Sequence, residues 1–425
     1  MPRSEHNISR AYISENALTV LYRLNEAGYQ AYLVGGCIRD MLLGREPKDY
    51  DIATNARPNE VNALFRNCRL VGRRFRLAHI NFGRETIEVA TFRAPHQATP
   101  AGEEAANGRI LRDNVFGTLE DDAMRRDFTV NSLYYGIDDL TIRDYTNGLK
   151  DIKKGTLQLV GDPETRYKED PVRMLRAIRF SSKLGFRIHP DSKKPIKKLG
   201  HLLKDIPAAR LYEETLKLFL GGCAVQTFDL LRHYGLFHYL FPQLDTCLEQ
   251  EEHGYPLTFV SQALSNTDKR ISENKPISPS FLFACLLWEP VRVLAKKLSQ
   301  EEGISETQAM QMAGETVMQN QLPHISIPRR FNIPMREIWI MQLRFQHRYG
   351  QRPLRFLTHP RFRAAYDFML LRGMAGEELQ ETCEWWTKLQ EQPEVQRELM
   401  TKSKQKKPYH SSRRKRPARR KKTDR

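Results

Sequence analysis

Two aspartates separated by a single residue are the part of the sequence best suited to chemistry. Asp49 and Asp51 lie in KDYDIAT, and residues 50–53 predict a short strand. Side chains two apart on a strand share a face, so the two carboxylates would lie together and repel each other. A divalent cation relieves that repulsion, and Mg²⁺ binds through one or two carboxylates and substrate phosphates. The pair therefore predicts a site for two-metal phosphoryl transfer.

A glycine pair upstream of the aspartates suits the phosphates of such a substrate. Gly35 and Gly36 separate a predicted strand, Ala31–Val34, from a short predicted helix, Cys37–Leu43. Glycines let a backbone approach a triphosphate closely, and a helix N-terminus offers N–H donors. Arg39, on the same helix, can pair with a phosphate oxygen. The ordered combination of these features is far more specific than any one of them.

A third group of charged residues lies in KEDPVRMLRAIRF. Asp170 precedes Pro171, and proline is favoured in the first turn of a helix. The arginines that follow at helical spacing are Arg173, Arg176 and Arg179. By itself this pattern is equally typical of a capped helix with a solvated, charged face.

Hydrophobic patterning divides the chain into an α/β first third and a helical remainder. Alternating residues at 77–82 and 86–92 predict a hairpin, and residues 128–137 predict a further strand. From about residue 150 the apolar period changes from 2 to 3.6. Helices are predicted at 171–184, 210–220, 225–233, 281–297, 335–348 and 362–371. We therefore expect strands only in the first third, followed by an all-α region.

Positive charge is concentrated at the end of the chain. The net charge is +17, but residues 402–425 hold 13 of the 68 Lys and Arg residues and a single acid. Such a run cannot pack against itself, so we expect a disordered tail that binds a polyanion, nucleic acid being favoured over a membrane surface or a merely solubilising role. The tail residues assigned to RNA are Arg413, Arg414, Lys415, Arg416, Arg419 and Arg420.

Composition excludes several other classes of protein. With 40% hydrophobic residues the chain can bury a large core, and no apolar run approaches the roughly 20 residues that span a bilayer. The N-terminus lacks the apolar segment of a secretory signal. The six cysteines include no CxxC pair, which indicates neither a zinc site nor a disulfide framework and favours a cytoplasmic location.

Together, the motifs resemble those of the class II nucleotidyltransferases, the family of CCA-adding enzymes and bacterial poly(A) polymerases. The resemblance covers about residues 12–240 and implies a polymerase-β-like α/β head with Asp49 and Asp51 as catalytic metal ligands. The segment RRDFTVNSLYY matches a further family motif, whose acid is Asp127. It stays open whether Asp127 or Glu88, in IEVATF, is the third catalytic carboxylate.

The resemblance also assigns residues to the nucleotide. In this family the Asp and first Arg of the third motif act as a template for the incoming base, a role that falls on Asp170 and Arg173. Adenine and cytosine share a donor–acceptor order, so this pair would reject G and U without separating A from C. The other residues expected at the nucleotide are Gly35, Gly36, Arg39, Arg126, Arg176 and Arg179. On the next helical motif, Arg210 with an acid one turn on is expected to brace the template helix, a structural rather than a catalytic role.

The expected organisation has four parts. They are a nucleotidyltransferase head at 12–150, a helical neck for base recognition and RNA binding at 151–240, a helical body or RNA-binding domain at 241–400 and a disordered basic tail at 401–425.

Several features favour a poly(A) polymerase within this family. Residues 69–80, RLVGRRFRLAHI, resemble a stretch typical of the bacterial enzymes, and the basic tail suits RNA of any sequence. We expect template-independent addition of AMP from ATP to RNA 3′ ends, with two Mg²⁺ ions, in mRNA processing and decay. The tail could also contact RNA-decay proteins. The alternatives are a CCA-adding tRNA nucleotidyltransferase and a non-catalytic RNA-binding scaffold.

Overall fold

The computed structural model describes residues 1–72, 76–94, 115–249 and 255–402. Part of the arginine-rich stretch 69–80 and all the tail arginines assigned to RNA lie outside these ranges.

A seven-stranded mixed sheet forms the N-terminal head. Its strands are β1 (Ala31–Val34), β2 (Asp51–Thr54), β3 (Cys68–Val71), β4 (Leu77–Phe82), β5 (Glu85–Thr91), β6 (Leu133–Gly136) and β7 (Ile142–Asp144). They lie in the order β3-β4-β5-β2-β1-β6-β7. Only β2 and β5 run parallel; the other neighbours are antiparallel. Because β2 pairs with β5, a side chain of β5 lies beside the first residue of β2.

In the described part of the head, five α-helices accompany the sheet. They are α1 (Glu15–Glu26), α2 (Gly36–Leu42), α3 (Pro58–Leu64), α4 (Leu119–Met124) and α5 (Gly148–Lys154). The Ser14 hydroxyl caps α1 by accepting from the Ala17 N–H. The buried face of α1 then packs into the core that covers one side of the sheet. The predicted helix 37–43 and the predicted hairpin are confirmed.

The segment 128–137 differs from its prediction. Only its second half is a strand, because residues Thr129–Asn131 form a 3-10 turn closed by bonds from the Asn131 and Ser132 N–H groups. The expectation that strands end with the first third is also wrong. A short parallel pair, β8 (Thr156–Leu157) with β9 (Arg187–Ile188), follows in the neck.

The rest of the described chain is helical, as predicted. The neck helices are α6 (Pro163–Glu169), α7 (Val172–Leu184), α8 (Pro190–Lys193), α9 (Ile196–Leu199), α10 (Ala208–Phe219), α11 (Ala224–His233) and α12 (Phe237–Leu240). The body helices are α13 (Pro242–Glu249), α14 (Tyr255–Ser272), α15 (Pro279–Leu286), α16 (Trp288–Glu301), α17 (Glu306–Gln321), α18 (Arg329–Gln342), α19 (Gln351–Leu357), α20 (Phe362–Met374), α21 (Gln380–Glu391) and α22 (Glu394–Thr401).

Among the described residues, two hydrophobic cores hold the helices of the neck and body together. The larger one runs from Phe128 to Ala375 and continues across residue 240, where the sequence predicts a boundary between neck and body. A smaller C-terminal core contains Phe356 and Trp386 and joins α19 to α21. The predicted domain limits stay a prediction. Within the described ranges, no helix has the length and apolar character needed to cross a membrane.

Candidate active site

The paired aspartates lie where β2 begins. Asp51 is the first residue of β2, and Asp49 stands just before the strand. Because β2 and β5 are parallel, Asp51 is in direct register with Glu88, and neighbouring residues in register share a face of the sheet. Burial and the charges of Glu88 and Asp49 together raise the pKa of Asp51 to about 6, against the lowering effect of Arg126. Three carboxylates are therefore concentrated around the start of β2, in the interior of the sheet.

This crowding fits a divalent cation. A cation relieves repulsion between neighbouring carboxylates, and their oxygens are the ligands that Mg²⁺ prefers. Within the described ranges, no three His, Cys, Asp or Glu side chains are arranged to hold a metal by themselves. Asp49 and Asp51 therefore suit a Mg²⁺ site that is completed by substrate phosphate oxygens. Their role as ligands stays a prediction.

The glycine turn brings backbone against two guanidinium groups. Gly35 has φ +79° and ψ −125°, a conformation that side-chain-bearing residues rarely adopt. A Cβ added to Gly35 would lie 3.5 Å from Nη1 of Arg126, and one added to Gly36 would lie 3.5 Å from Nη2 of Arg39. The two glycines thus leave the backbone without side chains beside the guanidinium groups of Arg126 and Arg39, as a phosphate-binding turn requires.

Arg126 is held in place with one of its nitrogens facing the turn. Its Nε donates to the Tyr134 hydroxyl at 2.9 Å, and its Nη2 donates to Oδ2 of Asp122 at 3.1 Å. Burial opposes its charge, but Tyr134 and Asp122 more than compensate and raise the pKa of Arg126. The remaining nitrogen, Nη1, is the one near Gly35. The structure thus brings Arg126 to the predicted nucleotide site.

Arg39 is more deeply buried than the sequence suggests. It is 2% exposed, and its Nε and Nη2 donate to Oδ1 of Asp40 at 2.8 and 2.7 Å. Its Nη1 donates to the side-chain oxygen of Asn131. These bonds engage the nitrogens of the guanidinium and support the glycine turn. Arg39 would therefore attract a bound phosphate chiefly through its charge.

Asp127 is engaged by an arginine of the neck. Its Oδ2 accepts from Nη2 and Nε of Arg176 at 2.6 and 2.8 Å. Its Oδ1 accepts from the Phe128 N–H and the side-chain amide of Asn131. Burial alone would raise the pKa of Asp127, but Arg176 and these hydrogen bonds lower it to about 2. This geometry favours an orienting role for Asp127, and a role for Glu88 as the third catalytic carboxylate stays a prediction.

Asn131 is a site residue that the sequence analysis did not single out. Its amide bonds both Arg39 and Asp127, and it is buried within the 3-10 turn. The available signal was its place in RRDFTVNSLYY, four residues after Asp127. The side-chain oxygen of Asn131 accepts from Arg39, and its side-chain nitrogen donates to Asp127. Asn131 therefore links the glycine turn to the ion pair of Asp127 and Arg176.

The predicted base-recognition residues begin α7. Asp170 caps the first turn, where its Oδ1 accepts from the Val172 N–H at 3.3 Å, and its Oδ2 accepts from Nη2 of Arg210 at 2.7 Å. Burial raises the pKa of Asp170, but Arg210 and Arg173 lower it overall. Arg210 does brace the start of α7 as predicted, but its partner is Asp170 and not an acid one turn on in its own helix. The packing of α10 against α7 brings the guanidinium of Arg210 to Asp170.

Arg173 is oriented by the preceding helix. Its Nη1 donates to Oε2 of Glu169 at 2.8 Å and to the Arg166 carbonyl at 2.7 Å. Asp170 and Arg173 thus stand together, each held by a different neighbour, as a pair reading one base edge would require. That role stays a prediction.

The remaining arginines gather around one aromatic ring. The guanidinium carbons of Arg39, Arg176 and Arg179 lie 5.4, 5.3 and 4.6 Å from the centre of Phe180. Glu214 on α10 is 6% exposed and raises the pKa of Arg176, an effect that adds to that of Asp127. Glu214 lies one turn after Arg210 in AARLYEETL, where the sequence predicts an acid that pairs with Arg210. The cluster places positive charge where the head meets the neck.

Three family models match the chain. They are described as the Poly A polymerase head domain (residues 31–158), the probable RNA and SrmB-binding site of polymerase A (185–248) and the polymerase A arginine-rich C-terminus (302–422). Poly(A) polymerase I of Escherichia coli O6:H1 is 50% identical over 396 residues, which are 92% of this chain and 85% of that protein. The chain belongs to the poly(A) polymerase I family. The family predicted from the motifs is thereby confirmed.

The relation of this poly(A) polymerase I family member to CCA-adding enzymes is more restricted. The CCA-adding enzyme of Lactobacillus helveticus is 38% identical over 214 residues, which are 50% of this chain and 52% of that enzyme. A solved structure titled tRNA-processing enzyme (apo form I) matches with a TM-score of 0.61 and 23% identity, over 93% of this chain and 99% of that one. The nucleotidyltransferase fold is therefore confirmed.

Proposed function

We propose that this chain is a template-independent poly(A) polymerase, which transfers AMP from ATP to the 3′ ends of RNA. The observation that carries the proposal is the register of Asp51 with Glu88, next to Asp49 and to the guanidinium of Arg126. This arrangement suits transfer of a phosphoryl group and has no evident use in a scaffold. The likeness to Poly(A) polymerase I over 92% of the chain supports ATP and RNA as substrates.

Asp49 and Asp51 would hold two Mg²⁺ ions. When bound, the ions lower the pKa of the RNA 3′-hydroxyl and neutralise the pyrophosphate that leaves. The chain contributes the rest through fixed groups. Arg126 directs Nη1 toward the glycine turn, where the triphosphate would lie, and Asp51 must be unprotonated to bind a cation.

Base selection would fall to Asp170 and Arg173. Asp170 can accept from the amino group of adenine, and Arg173 can donate to the ring nitrogen beside it. The bond from Arg210 helps to keep Asp170 charged, and the bond to Glu169 holds the Arg173 guanidinium in place. A base with the reversed pattern would leave buried polar groups unpaired, which costs about 1–3 kcal/mol each.

We propose that the basic tail also binds RNA. Residues 402–425 supply phosphate contacts for RNA of any sequence, and contacts with RNA-decay proteins would use the same segment. The chain would act in the cytoplasm, a proposal supported by six cysteines that are all free. Shortening the chain after Lys402 should weaken RNA binding and reduce its dependence on salt. An unchanged salt dependence would contradict the assignment of the tail.

Addition of a CCA end to tRNA is the second candidate. The half-chain likeness to a CCA-adding enzyme favours it, and the Asp170–Arg173 pair accepts cytosine as readily as adenine. It is the weaker candidate, because the likeness to Poly(A) polymerase I extends through the body as well as the head.

A nucleotide-addition assay with Mg²⁺ tests the proposal. ATP or CTP is offered separately to an unstructured RNA and to a tRNA that lacks its 3′ end. Long adenylate tails on both RNAs, with little use of CTP, are expected. Addition restricted to C, C and A on the tRNA would identify a CCA-adding enzyme instead.

Asp51→Asn provides the matched test of the site. This change should abolish addition while RNA binding is retained, because it removes a proposed metal ligand and leaves the basic surfaces unchanged. Asp191→Asn, at an exposed aspartate of the neck, is the control and should be active. Loss of activity in both variants would show that the assay reports folding rather than chemistry.

A further inference from the structure

A polar pocket lies between α5 and the short β8–β9 sheet of the neck. It has a volume of about 360 Å³ and is lined by polar or charged side chains, among them Thr146, Lys150, Asp151, Lys154, Gln158 and His189. Among the described residues, none of those assigned above to the metal, the nucleotide or the base lines it. Such a lining offers neither an aromatic ring for a base to stack on nor apolar surface for an acyl chain, so the pocket suits a small polar ligand.

The two lysines give the pocket an excess of positive charge. Lys150 and Lys154 are four residues apart on α5, so their side chains are neighbours and repel each other. Within the described ranges neither of them forms an ion pair, whereas Lys168 and Lys198 of the neck both contact Glu164, at 2.9 and 3.4 Å. A bound anion would relieve the repulsion and accept hydrogen bonds from both ammonium groups.

Asp151 also lines the pocket, but its carboxylate is held by the head. The residue is 6% exposed, and its Oδ2 accepts from the Thr129 hydroxyl at 2.6 Å. Thr129 begins the 3-10 turn that contains Asn131. One carboxylate against two lysines leaves the lining with a net positive charge even when His189 is neutral.

Two uncharged donors complete the pocket. Nδ1 of His189 accepts from the Asp191 N–H at 3.3 Å, so a neutral ring carries its proton on Nε2 and can donate from there. Oγ1 of Thr146 is buried and has no hydrogen-bond partner among the described residues. An unpaired buried hydroxyl costs free energy, which an acceptor on a ligand restores. The pocket therefore combines cations with neutral donors, a set that suits the oxygens of a phosphate group.

We propose that Thr146, Lys150, Lys154 and His189 form a second anion site, which binds inorganic pyrophosphate. Two ammonium groups one helical turn apart suit an anion that carries charge at both ends, as pyrophosphate does. The choice of pyrophosphate rests on the proposed function, in which it is the product released from ATP. Because the pocket lies outside the residues assigned to ATP, pyrophosphate bound there would not occupy the place of the next nucleotide.

Titration calorimetry with the full chain and sodium pyrophosphate tests the site, at physiological salt and with EDTA present. EDTA removes the divalent ions that would hold pyrophosphate at Asp49 and Asp51. K150Q/K154Q should raise the dissociation constant at least about tenfold, because two charge-assisted hydrogen bonds are lost. An unchanged dissociation constant would place the anion at the glycine turn of the head and overturn the proposal.

The matched control is K153Q/K193Q. It also removes two exposed lysines, one from α5 and one from α8, and neither of them lines the pocket. Its dissociation constant for pyrophosphate should equal that of the unmodified protein. Equal weakening by the two double variants would show an effect of overall charge and would overturn the proposal.

Orthophosphate and RNA test the choice of ligand. Orthophosphate, titrated in the same way, should bind at least about tenfold more weakly than pyrophosphate, because its single phosphate group cannot engage both lysines as well. A short oligoadenylate should not displace pyrophosphate from the unmodified protein. Equal binding of the two anions would show a site for one phosphate group, and displacement would assign the pocket to the RNA backbone. Either result would overturn pyrophosphate as the ligand.

Two further measurements separate this inference from folding and from the proposed function. Thr146→Val removes the hydroxyl and keeps the shape of the side chain, so it should weaken pyrophosphate binding about fivefold, and it covers the case in which the double variant unfolds. Unchanged binding would contradict the place of Thr146 in the site. K150Q/K154Q should add AMP to RNA at the unmodified rate when no pyrophosphate is added. If even the unmodified protein adds no AMP, the proposed function fails, while the titrations still decide the anion site.

Discussion

Asp127 and Arg176 join the head to the neck through a paired contact, in which Nη2 and Nε of one guanidinium reach Oδ2 of the carboxylate at 2.6 and 2.8 Å. The Asp127 side chain is only 13% exposed. The motif acid that the resemblance places near the chemistry is therefore used to fix the orientation of α7, which carries Arg173, relative to the sheet that carries Asp51.

The first prediction concerns stability at low pH. Asp127 has a folded-state pKa of about 2, below the value of about 3.9 for an unfolded aspartate. Its contribution is therefore complete above about pH 4 and is lost as the pH falls through about 2. Asp127→Asn should lower the free energy of unfolding by about 2 kcal/mol at pH 7. Urea unfolding between pH 2 and pH 7 measures this, and the two proteins should converge at the acid end.

The control for this prediction is Asp191→Asn, which changes an exposed aspartate outside the ion pair. It should follow the unmodified protein across the pH range. Parallel curves for Asp127→Asn and the unmodified protein would contradict the role given to the ion pair.

The second prediction concerns Asn131, which connects Arg39 with Asp127. Asn131→Ala removes the acceptor from a buried guanidinium, which loosens the support of the glycine turn. The KM for ATP should rise about tenfold, with a stability loss of about 1–3 kcal/mol. Steady-state kinetics with ATP as the varied substrate measures the change.

Two companion variants sharpen the result for Asn131. Asn131→Asp keeps an acceptor for Arg39, so it should restore part of the ATP affinity, although its charge repels Asp127. Asn320→Ala, at an exposed amide of the body, should leave KM unchanged. An Asn131→Ala enzyme with a normal KM would show that the turn needs no such support.

The third prediction concerns the pH dependence of metal binding. The pKa of Asp51 is raised to about 6, so below that pH the carboxyl is protonated and must lose its proton before it can bind a cation. Mg²⁺ affinity should therefore fall by up to about tenfold per pH unit below pH 6, with proton release on binding. Calorimetry in buffers of different ionisation enthalpy measures both, and Asp51→Asn should abolish the proton release.

Glu88→Gln distinguishes the two roles open to that residue. If Glu88 only acts on its neighbour, removing its charge lowers the pKa of Asp51 and moves the proton release to lower pH, while Mg²⁺ affinity at neutral pH is largely kept. If Glu88 is itself a ligand, affinity falls at every pH. No change in either quantity would contradict the proximity shown by the register of β2 and β5.

The fourth prediction concerns base selection. Arg210→Gln removes the donor that holds Oδ2 of Asp170 and helps to keep that carboxyl charged. The ratio of kcat/KM for ATP to that for GTP should fall about tenfold, the value expected from one weakened discriminating bond. Arg187→Gln, at an exposed residue of β9, is the control. Equal effects on ATP and GTP would indicate that Arg210 only supports the fold.

Much of the site could be predicted from local sequence. The glycine turn, the paired aspartates and the capped start of α7 each depend on residues close together in the chain, and strands, turns and caps respond to such neighbours. The segment 128–137 shows the limit. Its alternating pattern fits a strand, but Asn131 obtains its partners from a turn.

The sequence by itself determined which chemistry is available and where the local elements begin. It supplied Asp49 and Asp51 before a strand, and two glycines before a helix. Only the tertiary structure decided the partners, because strand order and helix packing follow from burying a whole core rather than from any one segment. The parallel pairing of β2 with β5 placed Glu88 beside Asp51, and the packing of α10 on α7 gave Arg210 to Asp170.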